Sequence, residues 1–285
     1  MADVPVSARP GRARQRRPTR RPIRLPGPID AGLTTVGRLT QLSGETTRYI
    51  ATDLVRGRFP WREFILQAWF VTSVSLLPAV LVAIPFGVIV AINVGSLAQQ
   101  VGASSFVGAV NGLGVIREGA PVVTALLLAG AAGSAICSDL GSRTIREELD
   151  AMRVMGISPV RRLVAPRVAA LVVVGALLCA VVAMTGVLAG YLFNVYVQHG
   201  TPGAYLSSFT DFATPGDFIV AEIKAAIFGF LAAIVAAHKG LTARGGPKGV
   251  ADAVNQCVVL SFLMLFSTNI LITQAYLLIH PPVVV

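Results

Sequence analysis

The chain has 285 residues, of which 54% are hydrophobic and 13% charged, and its 24 Lys and Arg outnumber its 14 Asp and Glu. This composition, with a mean hydropathy of +0.71, excludes an ordinary water-soluble domain. Charge is also segregated, since no charged residue lies between Arg167 and Asp211 or after Asp252. The sequence therefore predicts an all-α integral membrane protein, because long apolar segments satisfy their backbone groups in lipid as helices.

Residues 1–28 are rich in Arg and Pro, and we expect them to form a disordered cytoplasmic tail. The arginine run at residues 9–24 allows two interpretations. Such runs can neutralise nucleic-acid phosphates, but no folded nucleic-acid module accompanies this one. We therefore expect the tail to touch anionic lipid headgroups and to bind no nucleic acid.

Residues 29–66 intersperse apolar and polar side chains, which predicts an interfacial amphipathic helix on the cytoplasmic membrane face. Aromatic rings favour the boundary between water and lipid, and four of them follow near the end of this segment: Phe59, Trp61, Phe64 and Trp69. The remaining residues, 67–285, form the predicted membrane domain.

Five segments of that domain are long and apolar enough to cross a bilayer. Their predicted bounds are residues 69–94, 119–138, 168–198, 218–238 and 250–279. The first segment contains Pro78 and Pro85, which predict a kinked or broken helix. The apolar stretch 106–116 is too short to span, and it is either a lead-in to the second span or a re-entrant piece.

The distribution of Lys and Arg predicts the orientation, because cytoplasmic connectors carry an excess of basic residues. Thirteen Arg precede the first span, and the connectors at 139–167 and 239–248 are also basic. The connector at 199–217 has neither Lys nor Arg, and 95–118 has only Arg117. We therefore expect a multi-pass protein of the inner (plasma) membrane, with the N-terminus in the cytoplasm and the C-terminus outside.

The connector at 139–167 predicts a short helix over residues 144–156. Thr144 and Glu147 fit a capping box at its start, and Gly156 followed by Pro159 fits a helix stop. Helical spacing places its apolar and its charged side chains on opposite faces: Ile145, Leu149, Met152 and Met155 on one, and Arg146, Glu147, Asp150 and Arg153 on the other. Such a helix needs a surface against which to bury its apolar face.

Small residues recur in the second span at spacings that let helices approach closely: Ala129, Gly130, Gly133 and Ser134. They predict tight packing against another helix, either of this chain or of a partner subunit.

Ionisable residues in or near the membrane are the candidate functional residues. Arg117 and Glu118 lie just before the second span, and Glu222 and Lys224 lie early in the fourth. Arg117 and Glu118 are adjacent in sequence and cannot share one helix face, so we expect each to have its own partner. Structural pairing or snorkelling is the alternative to a polar cavity entrance or a proton relay.

The sequence predicts no catalytic residue and no metal site. It has no G-x-S-x-G pattern, and its three Cys lie within predicted spans as small packing residues. The glycines at 245–249 lack the spacing and the strand context of a phosphate-binding P-loop. We therefore expect this chain to bind no cofactor and not to hydrolyse ATP by itself.

Two stretches resemble a known family. They are REGAPVVTALLLAGAAGSAICSDLGSRTIREELDAMRVMGISPVRRLVAPR, residues 117–167, and IKAAIFGFLAAIVAAHKGLTARGGPKGVADAVNQCVVLS, residues 223–261. Together they cover about half the chain, and both resemble the MlaE/YrbE permeases, membrane subunits of ABC-type lipid transporters that work with MCE proteins. One departure is Ala131, where the family pattern AGRAGSA has an arginine.

The resemblance implies the fold of an MlaE-like ABC permease and its assembly. It implies a permease dimer, two ATPase subunits that carry ATP and Mg²⁺ in the cytoplasm, and a hexameric MCE assembly on the outer face. By resemblance, residues 67–285 are the permease domain, and the helix at 144–156 is the coupling helix. Its residues 147–156, which include Glu148 and Gly156, are implied to insert into a groove on the ATPase. Arg117, Glu118 and Lys224 match polar positions near the family's lipid pocket.

The arginine-rich tail and the residue usage resemble actinobacterial, mycobacterial-type YrbE proteins, which occur as paired paralogues. A heterodimer is therefore expected, and import is the favoured direction. The lipid stays open among fatty acids, mycolic-type acids, sterols and phospholipids. The alternatives are a proton-coupled secondary carrier that uses Glu118, Glu222 and Lys224, and a membrane scaffold without transport.

Overall fold

The computed structural model describes residues 28–100, 102 and 106–279, and the predicted tail therefore lies outside the described residues except for Pro28. The described residues are helical and contain no strand, which confirms the all-α prediction. The chain divides into two compact units, Met1–Val36 and Gly37–Val285. The described part of the first unit is the start of helix α1, and the second unit contains all the membrane spans.

Ten α-helices make up the described chain, and π-helical turns interrupt or precede three of them. They are α1 (Pro28–Val55), α2 (Trp61–Gln100), α3 (Val107–Gly114), α4 (Ala120–Leu127), α5 (Gly133–Ile145), α6 (Glu148–Val154), α7 (Ala165–Tyr196), α8 (Pro202–Phe212), α9 (Pro215–Leu241) and α10 (Gly246–Ile279). The π turns are Val115–Gly119, Leu128–Ala132 and Val160–Val164.

Five helical segments are long and apolar enough to cross a membrane, as the sequence predicts. They are Trp61–Gln100, Val107–Ile145, Val160–Tyr196, Pro215–Leu241 and Gly246–Tyr276. Most begin earlier or end later than the hydropathy pattern indicates, because a helix continues into polar sequence on either side of its apolar centre. The first span therefore takes in Trp61 and Phe64, which belong to the predicted interfacial segment 29–66.

The structure decides two alternatives that the sequence left open. The helix α2 runs without a break through Pro78 and Pro85, so the alternative of a broken helix is wrong. The stretch 106–116 continues through the first π turn into α4 and α5, so it is the start of the second span.

Small residues bring the long helices together. On α2 every fourth residue is buried, and most of these are Ala or Gly: Val71, Ser75, Ala79, Ala83, Gly87, Ala91 and Gly95. This stripe faces α7, and a β-carbon added to Gly87 would overlap the backbone of Gly186. The backbones can approach this closely only because neither glycine carries a side chain.

The helix α9 is central to the bundle, since it packs against α7, α5 and α10. Gly229 lies against the backbone of Leu171 on α7, and Gly240 lies against Cys137 and Leu140 on α5. The buried side chains of α9, which include Lys224, therefore lie among three other spans.

The small residues of the second span do not all face inwards. Ala129 is fully buried, and the carbonyl oxygen of Gly133 lies 4.0 Å from Cys257 Sγ on α10. A β-carbon on Gly130 would meet nothing within 4 Å, so this glycine faces open space in the single chain. Ser134 is half-buried in a groove between α5 and α10.

The connectors lie at two ends of the bundle. The helix α6 follows α5 and precedes α7 in the chain. The end of α9 lies beside the end of α5, because the Thr144 hydroxyl donates to the carbonyl oxygen of Gly240 at 3.0 Å. We call this the α6 end. The helix α8 joins the opposite end of α7 to α9, and we call that the far end.

Candidate functional site

A cluster of charged side chains lies inside the bundle where the second, fourth and fifth spans meet. Arg117 and Glu118 lie in the π turn Val115–Gly119, and Lys224 lies on α9, about 14 Å along the helix from its start at the far end. A π turn adds a residue to the helical repeat and is common at functional sites. Here it carries both adjacent ionisable residues.

Arg117 forms an ion pair with Asp217, near the start of α9. The Nε of Arg117 donates to Asp217 Oδ1 at 2.7 Å, and Tyr276 donates to the same oxygen at 3.3 Å. The other carboxylate oxygen of Asp217 accepts from the backbone N–H and the hydroxyl of Thr214, which closes a capping box at the start of α9. Asp217 is thus held in place by its own helix before it meets Arg117.

Glu118 pairs with a different cation, Lys224. The Nζ of Lys224 donates to Glu118 Oε1 at 3.0 Å, to Thr273 Oγ1 at 2.8 Å and to the carbonyl oxygen of Arg117 at 3.1 Å. Thr273 and Asn269, one turn apart on α10, donate in turn to the two oxygens of Glu118. The two adjacent residues of the π turn therefore have separate partners, as the sequence predicts.

Each ion pair has one buried and one accessible member. Asp217 and Lys224 side chains are 1% and 3% exposed, whereas those of Arg117 and Glu118 are 41% and 45% exposed. A cavity of about 430 Å³ opens beside them, and apolar side chains such as Val110, Leu113 and Val220 line it as well. The cavity therefore offers one accessible cation, one accessible anion and an apolar wall.

This arrangement suits binding rather than bond breaking. The cluster balances two positive against two negative groups, so it places no net charge in the membrane. A small-molecule site typically combines an apolar lining with a few fixed polar groups, as this one does. An amphiphile can therefore place its polar end against Arg117 or Glu118 and its apolar part along the wall.

Glu222 does not join this cluster. It lies on α9 two residues before Lys224, but it does not line the cavity. Its Oε1 is buried and finds no hydrogen-bond partner among the described residues. Glu222 and Lys224 were predicted together as candidate functional residues because they are close in sequence. Residues two apart on a helix point in different directions, so the two side chains have different surroundings.

Four residues of the cluster were not predicted from the sequence: Asp217, Asn269, Thr273 and Tyr276. A signal for Asp217 was present, since Thr214 followed three residues later by an acidic residue fits a capping box. The three residues of α10 carried no comparable signal, because uncharged polar residues are common in apolar helices.

The second candidate site is the connector that contains α6. Its start differs from the prediction, since α5 runs on through Ile145 and α6 begins only at Glu148. The predicted capping box is wrong, because the Thr144 hydroxyl donates to the carbonyl oxygens of Leu140 and Gly240 instead. Glu147 adopts a left-handed conformation with φ of 60° and forms a sharp corner between the two helices.

The end of α6 agrees with the prediction. Gly156 has φ of +74°, its N–H donates to the carbonyl oxygen of Arg153, and the N–H of Ile157 donates to that of Met152. This pair of hydrogen bonds is a Schellman motif, which favours glycine at the left-handed position.

The apolar face of the predicted helix does not point to a partner as a whole. Leu149 is 2% exposed, and Ile145 and Met152 pack against the protein's own core. The accessible apolar residues are at the end of α6, where Val154 is 89% and Met155 66% exposed. The exposed charged residues beside them are Arg146, Glu147, Asp150 and Arg153. The surface offered to a partner is therefore this apolar tip with its charged surroundings.

A chain of ion pairs ties α6 to the spans. Arg167 on α7 is 2% exposed and donates to Asp139 Oδ2 at 2.6 Å, and Asp139 Oδ1 accepts from Arg143 at 3.1 Å. Arg143 reaches Glu148, the first residue of α6, at 3.6 Å. These ion pairs thus connect the start of α6 to α5 and α7.

A further ion pair ties the same connector to α1. Arg161, in the π turn that precedes α7, pairs with Asp53, which is buried near the end of α1. The Nε of Arg161 donates to Asp53 Oδ2 at 2.8 Å, and a second guanidinium N–H donates to Asp53 Oδ1. The α6 end is therefore linked to the helix that precedes the first span.

Comparison with known proteins relates both sites to one family. The sequence model of the family described as "Permease MlaE" matches residues 64–275, which is well over half of the chain. The chain belongs to the MlaE permease family. The match includes α6 and every residue of the charged cluster except Tyr276.

The relatives of this MlaE family member include ABC transporter permeases. A probable ABC transporter permease protein of Synechocystis is 30% identical over 223 residues, which cover 78% of this chain and 85% of the relative. One of Rickettsia bellii is 28% identical over 225 residues, with 79% and 87% covered. The protein TRIGALACTOSYLDIACYLGLYCEROL 1, chloroplastic, of Arabidopsis thaliana is 26% identical over 227 residues, with 80% and 65% covered.

These matches identify the chain as an ABC-type permease subunit, and its five apolar helices agree with a multi-pass membrane protein. Within this subunit, Ala131 lies in the π turn Leu128–Ala132, beside Gly130, which faces open space.

Proposed function

We propose that this MlaE-family permease moves lipids between the inner membrane and an extracytoplasmic MCE assembly as part of an ABC transporter, with ATP hydrolysed on separate subunits. The observation that carries the proposal is the cavity beside Arg117 and Glu118, which combines two accessible opposite charges with an apolar wall. Fatty acids, mycolic-type acids, sterols and phospholipids all fit this description, and import is the favoured direction.

In this proposal the ATPase docks at the α6 end, which faces the cytoplasm. The basic residues of the connectors near α6 support that orientation. The exposed tip of α6, Val154 and Met155, is the contact, and the ion pairs from Glu148 to Arg167 pass its movement to the spans.

The resemblance to MlaE/YrbE permeases supports the remaining partners. A second YrbE-type permease completes the membrane part, with a heterodimer favoured, and hexameric MCE proteins receive or deliver lipid at the far end. The proposal also includes that the chain is an actinobacterial-type YrbE protein, because its arginine-rich tail and its residue usage resemble those proteins.

Co-purification tests the assembly. The affinity-tagged chain is purified from its host in mild detergent, and its companions are identified by mass spectrometry. We expect an ATPase, a second permease and MCE proteins. A preparation that contains neither an ATPase nor MCE proteins contradicts the proposal.

Reconstitution of the purified complex tests the site. Transfer of a fluorescent lipid should require ATP and should fall strongly in Arg117→Gln. The matched control is Arg56→Gln, because Arg56 is exposed outside the spans. ATP-dependent transfer at the original rate in Arg117→Gln would remove the cavity from the mechanism.

One observation favours a second candidate, the proton-coupled carrier. Glu222 has a buried carboxyl oxygen without a hydrogen-bond partner among the described residues, as a proton-binding group would. If the chain is such a carrier, a pH gradient without nucleotide should drive lipid movement in liposomes. Glu222→Gln should abolish that movement. Movement that needs ATP and survives Glu222→Gln excludes it.

A further inference from the structure

A second cavity, of about 270 Å³, lies at the far end between α2, α7 and α8. Six of its lining residues offer hydrogen-bonding side chains: Gln99, Asn194, Gln198, His199, Thr201 and Tyr205. Among the described lining residues there is no Asp, Glu, Lys or Arg. The cavity is therefore polar but lacks a fixed charge, in contrast to the cluster around Arg117.

Two of these side chains are already fixed in place. Asn194 Nδ2 donates to Gln198 Oε1 at 3.0 Å, and Gln198 Nε2 donates to the carbonyl oxygen of Ala91 on α2 at 3.2 Å. These bonds hold both amides at the cavity wall, so their remaining donor and acceptor positions are preorganised for a ligand.

Tyr205 on α8 is the unusual member of the set. It is 3% exposed, and its hydroxyl has no hydrogen-bond partner among the described residues. Burial raises the pKa of Tyr205 to about 12, so the hydroxyl stays protonated and remains a donor. A buried donor without a partner is destabilising, so a ligand or ordered water that accepts from it stabilises the protein.

Tyr205 also borders an apolar groove of about 520 Å³ between α7, α8 and the start of α9. Its ring packs edge-to-face against Tyr191, with 5.3 Å between the ring centres. Three more residues of the groove, Met184, Leu188 and Leu206, are each more than half exposed. Met184 and Leu188 lie on the membrane-spanning helix α7, where exposed apolar side chains meet lipid chains.

We propose that the polar cavity and the apolar groove form one binding site for a lipid with an uncharged, hydroxylated headgroup. The headgroup lies among Asn194, Gln198 and Thr201 and accepts a hydrogen bond from Tyr205, and the acyl chain lies in the groove. The absence of fixed charge favours a glycerol-type headgroup over a carboxylate or phosphate, whose burial needs a cation. This site goes beyond the proposed function, since it shares no lining residue with the cavity at Arg117.

Photo-crosslinking tests the proposal. The full chain, with any companions that co-purify, is placed in phosphatidylcholine nanodiscs without nucleotide. The probe is a monoacylglycerol with a diazirine in its acyl chain, and the comparison probe is the free fatty acid with the same chain. We expect the monoacylglycerol to label residues 184–191 and 205–218, as mapped by mass spectrometry, more strongly than the fatty acid does.

Tyr205→Phe tests whether the Tyr205 hydroxyl donates a hydrogen bond to the bound lipid. We expect it to lower labelling about two- to tenfold, as the loss of one hydrogen bond does, and to leave folding intact because only an unpartnered hydroxyl is removed. Thr201→Val is the second variant, and Tyr196→Phe is the matched control because Tyr196 is 74% exposed and lines neither cavity.

Three outcomes overturn the proposal. They are equal or stronger labelling by the fatty acid, labelling outside the groove only, and unchanged labelling in both Tyr205→Phe and Thr201→Val. Because the assay contains no nucleotide and does not measure transport, failure here leaves the function proposed for the Arg117 cavity untouched.

Discussion

The residues of the charged cluster have two roles, and their accessibility to the cavity decides which role each one has. Lys224 and Asp217 are buried and make several hydrogen bonds each, whereas Arg117 and Glu118 keep about two fifths of their surface open to the cavity. The buried members therefore position the accessible ones. Removal of a buried member should consequently affect both stability and binding.

Lys224→Met tests this division. The change keeps the apolar stem but leaves Glu118 without its cation and Thr273 without its donor. We expect the free energy of unfolding to fall by about 1–3 kcal/mol and ATP-dependent lipid transfer to be lost. Thermal unfolding in detergent and transfer between vesicles measure the two effects.

Lys239→Met is the matched control, because Lys239 lies on the same helix and bonds to Gln256 at the surface. It should change stability by no more than about 0.5 kcal/mol. The double variant Lys224→Met/Glu118→Gln should recover part of the lost stability, because no unpaired carboxylate remains. Wild-type stability in Lys224→Met would show that the pair does not position Glu118.

At the scale of elements, α6 is short and depends on its surroundings. Seven residues are too few for an isolated helix to be stable. Leu149 anchors it to the core, the left-handed Glu147 turns the chain into it, and the Schellman motif at Gly156 ends it. The anchoring leaves the apolar tip and the exposed charged residues beside it free to contact another protein.

Val154→Asp and Met155→Asp should weaken binding of the ATPase about tenfold or more, as the loss of a central apolar contact does. Their thermal unfolding should match that of the wild type, because both side chains are exposed. Leu149→Asp should instead destabilise the chain itself, since it buries a charge. Binding of the purified ATPase to immobilised permease measures the difference.

Val55→Asp is the control for these variants, because Val55 is also exposed but lies at the end of α1. It should bind the ATPase normally. Normal binding by both tip variants would place the docking surface elsewhere.

Gly156→Ala tests the end of α6. Its φ of +74° costs an L-residue about 1–2 kcal/mol, so the last turn of α6 should open more often and its amide hydrogens should exchange faster. Gly44→Ala is the control, since Gly44 lies within α1 with free space around it and should be neutral or stabilising. Unchanged exchange in Gly156→Ala would mean that the Schellman motif does not limit opening of α6.

At the scale of the whole molecule, contact between backbones decides how the spans pack. Lipid surrounds the bundle, so helices gain little from burying apolar surface and more from close van der Waals contact. Glycines at the crossings of α9 with α7 and α5, and of α2 with α7, allow that contact.

Gly229→Ala should therefore be costly. Its β-carbon would overlap the backbone of Leu171, and α9 would have to move away from α7. We expect a loss of about 1–3 kcal/mol, the usual effect of overpacking, measured as a lower unfolding temperature of the purified chain. Gly130→Ala is the control, because a β-carbon there meets nothing within 4 Å in the single chain. Equal stability of the two variants would contradict a packing role for Gly229.

Several features could be predicted from the sequence because they depend on neighbouring residues only. The five spans follow from the length of the apolar segments, which the bilayer requires whatever the packing. The end of α6 follows from Gly156, since few other residues adopt its conformation. Of the two alternatives predicted at the prolines of the first span, a kinked or a broken helix, the broken helix is wrong, because a membrane span tolerates proline better than a soluble helix does.

Only the tertiary structure decided the partners of the candidate residues. Thr144 was predicted to cap a helix, but it bonds to Gly240, which packing brings to it from 96 residues away. Arg117 and Asp217 are 100 residues apart, and nothing in their spacing links them. The sequence determined which residues are charged and which segments cross the membrane, because composition and length are local. Which charges meet depends on the glycine-mediated crossings of the helices, which place distant segments side by side.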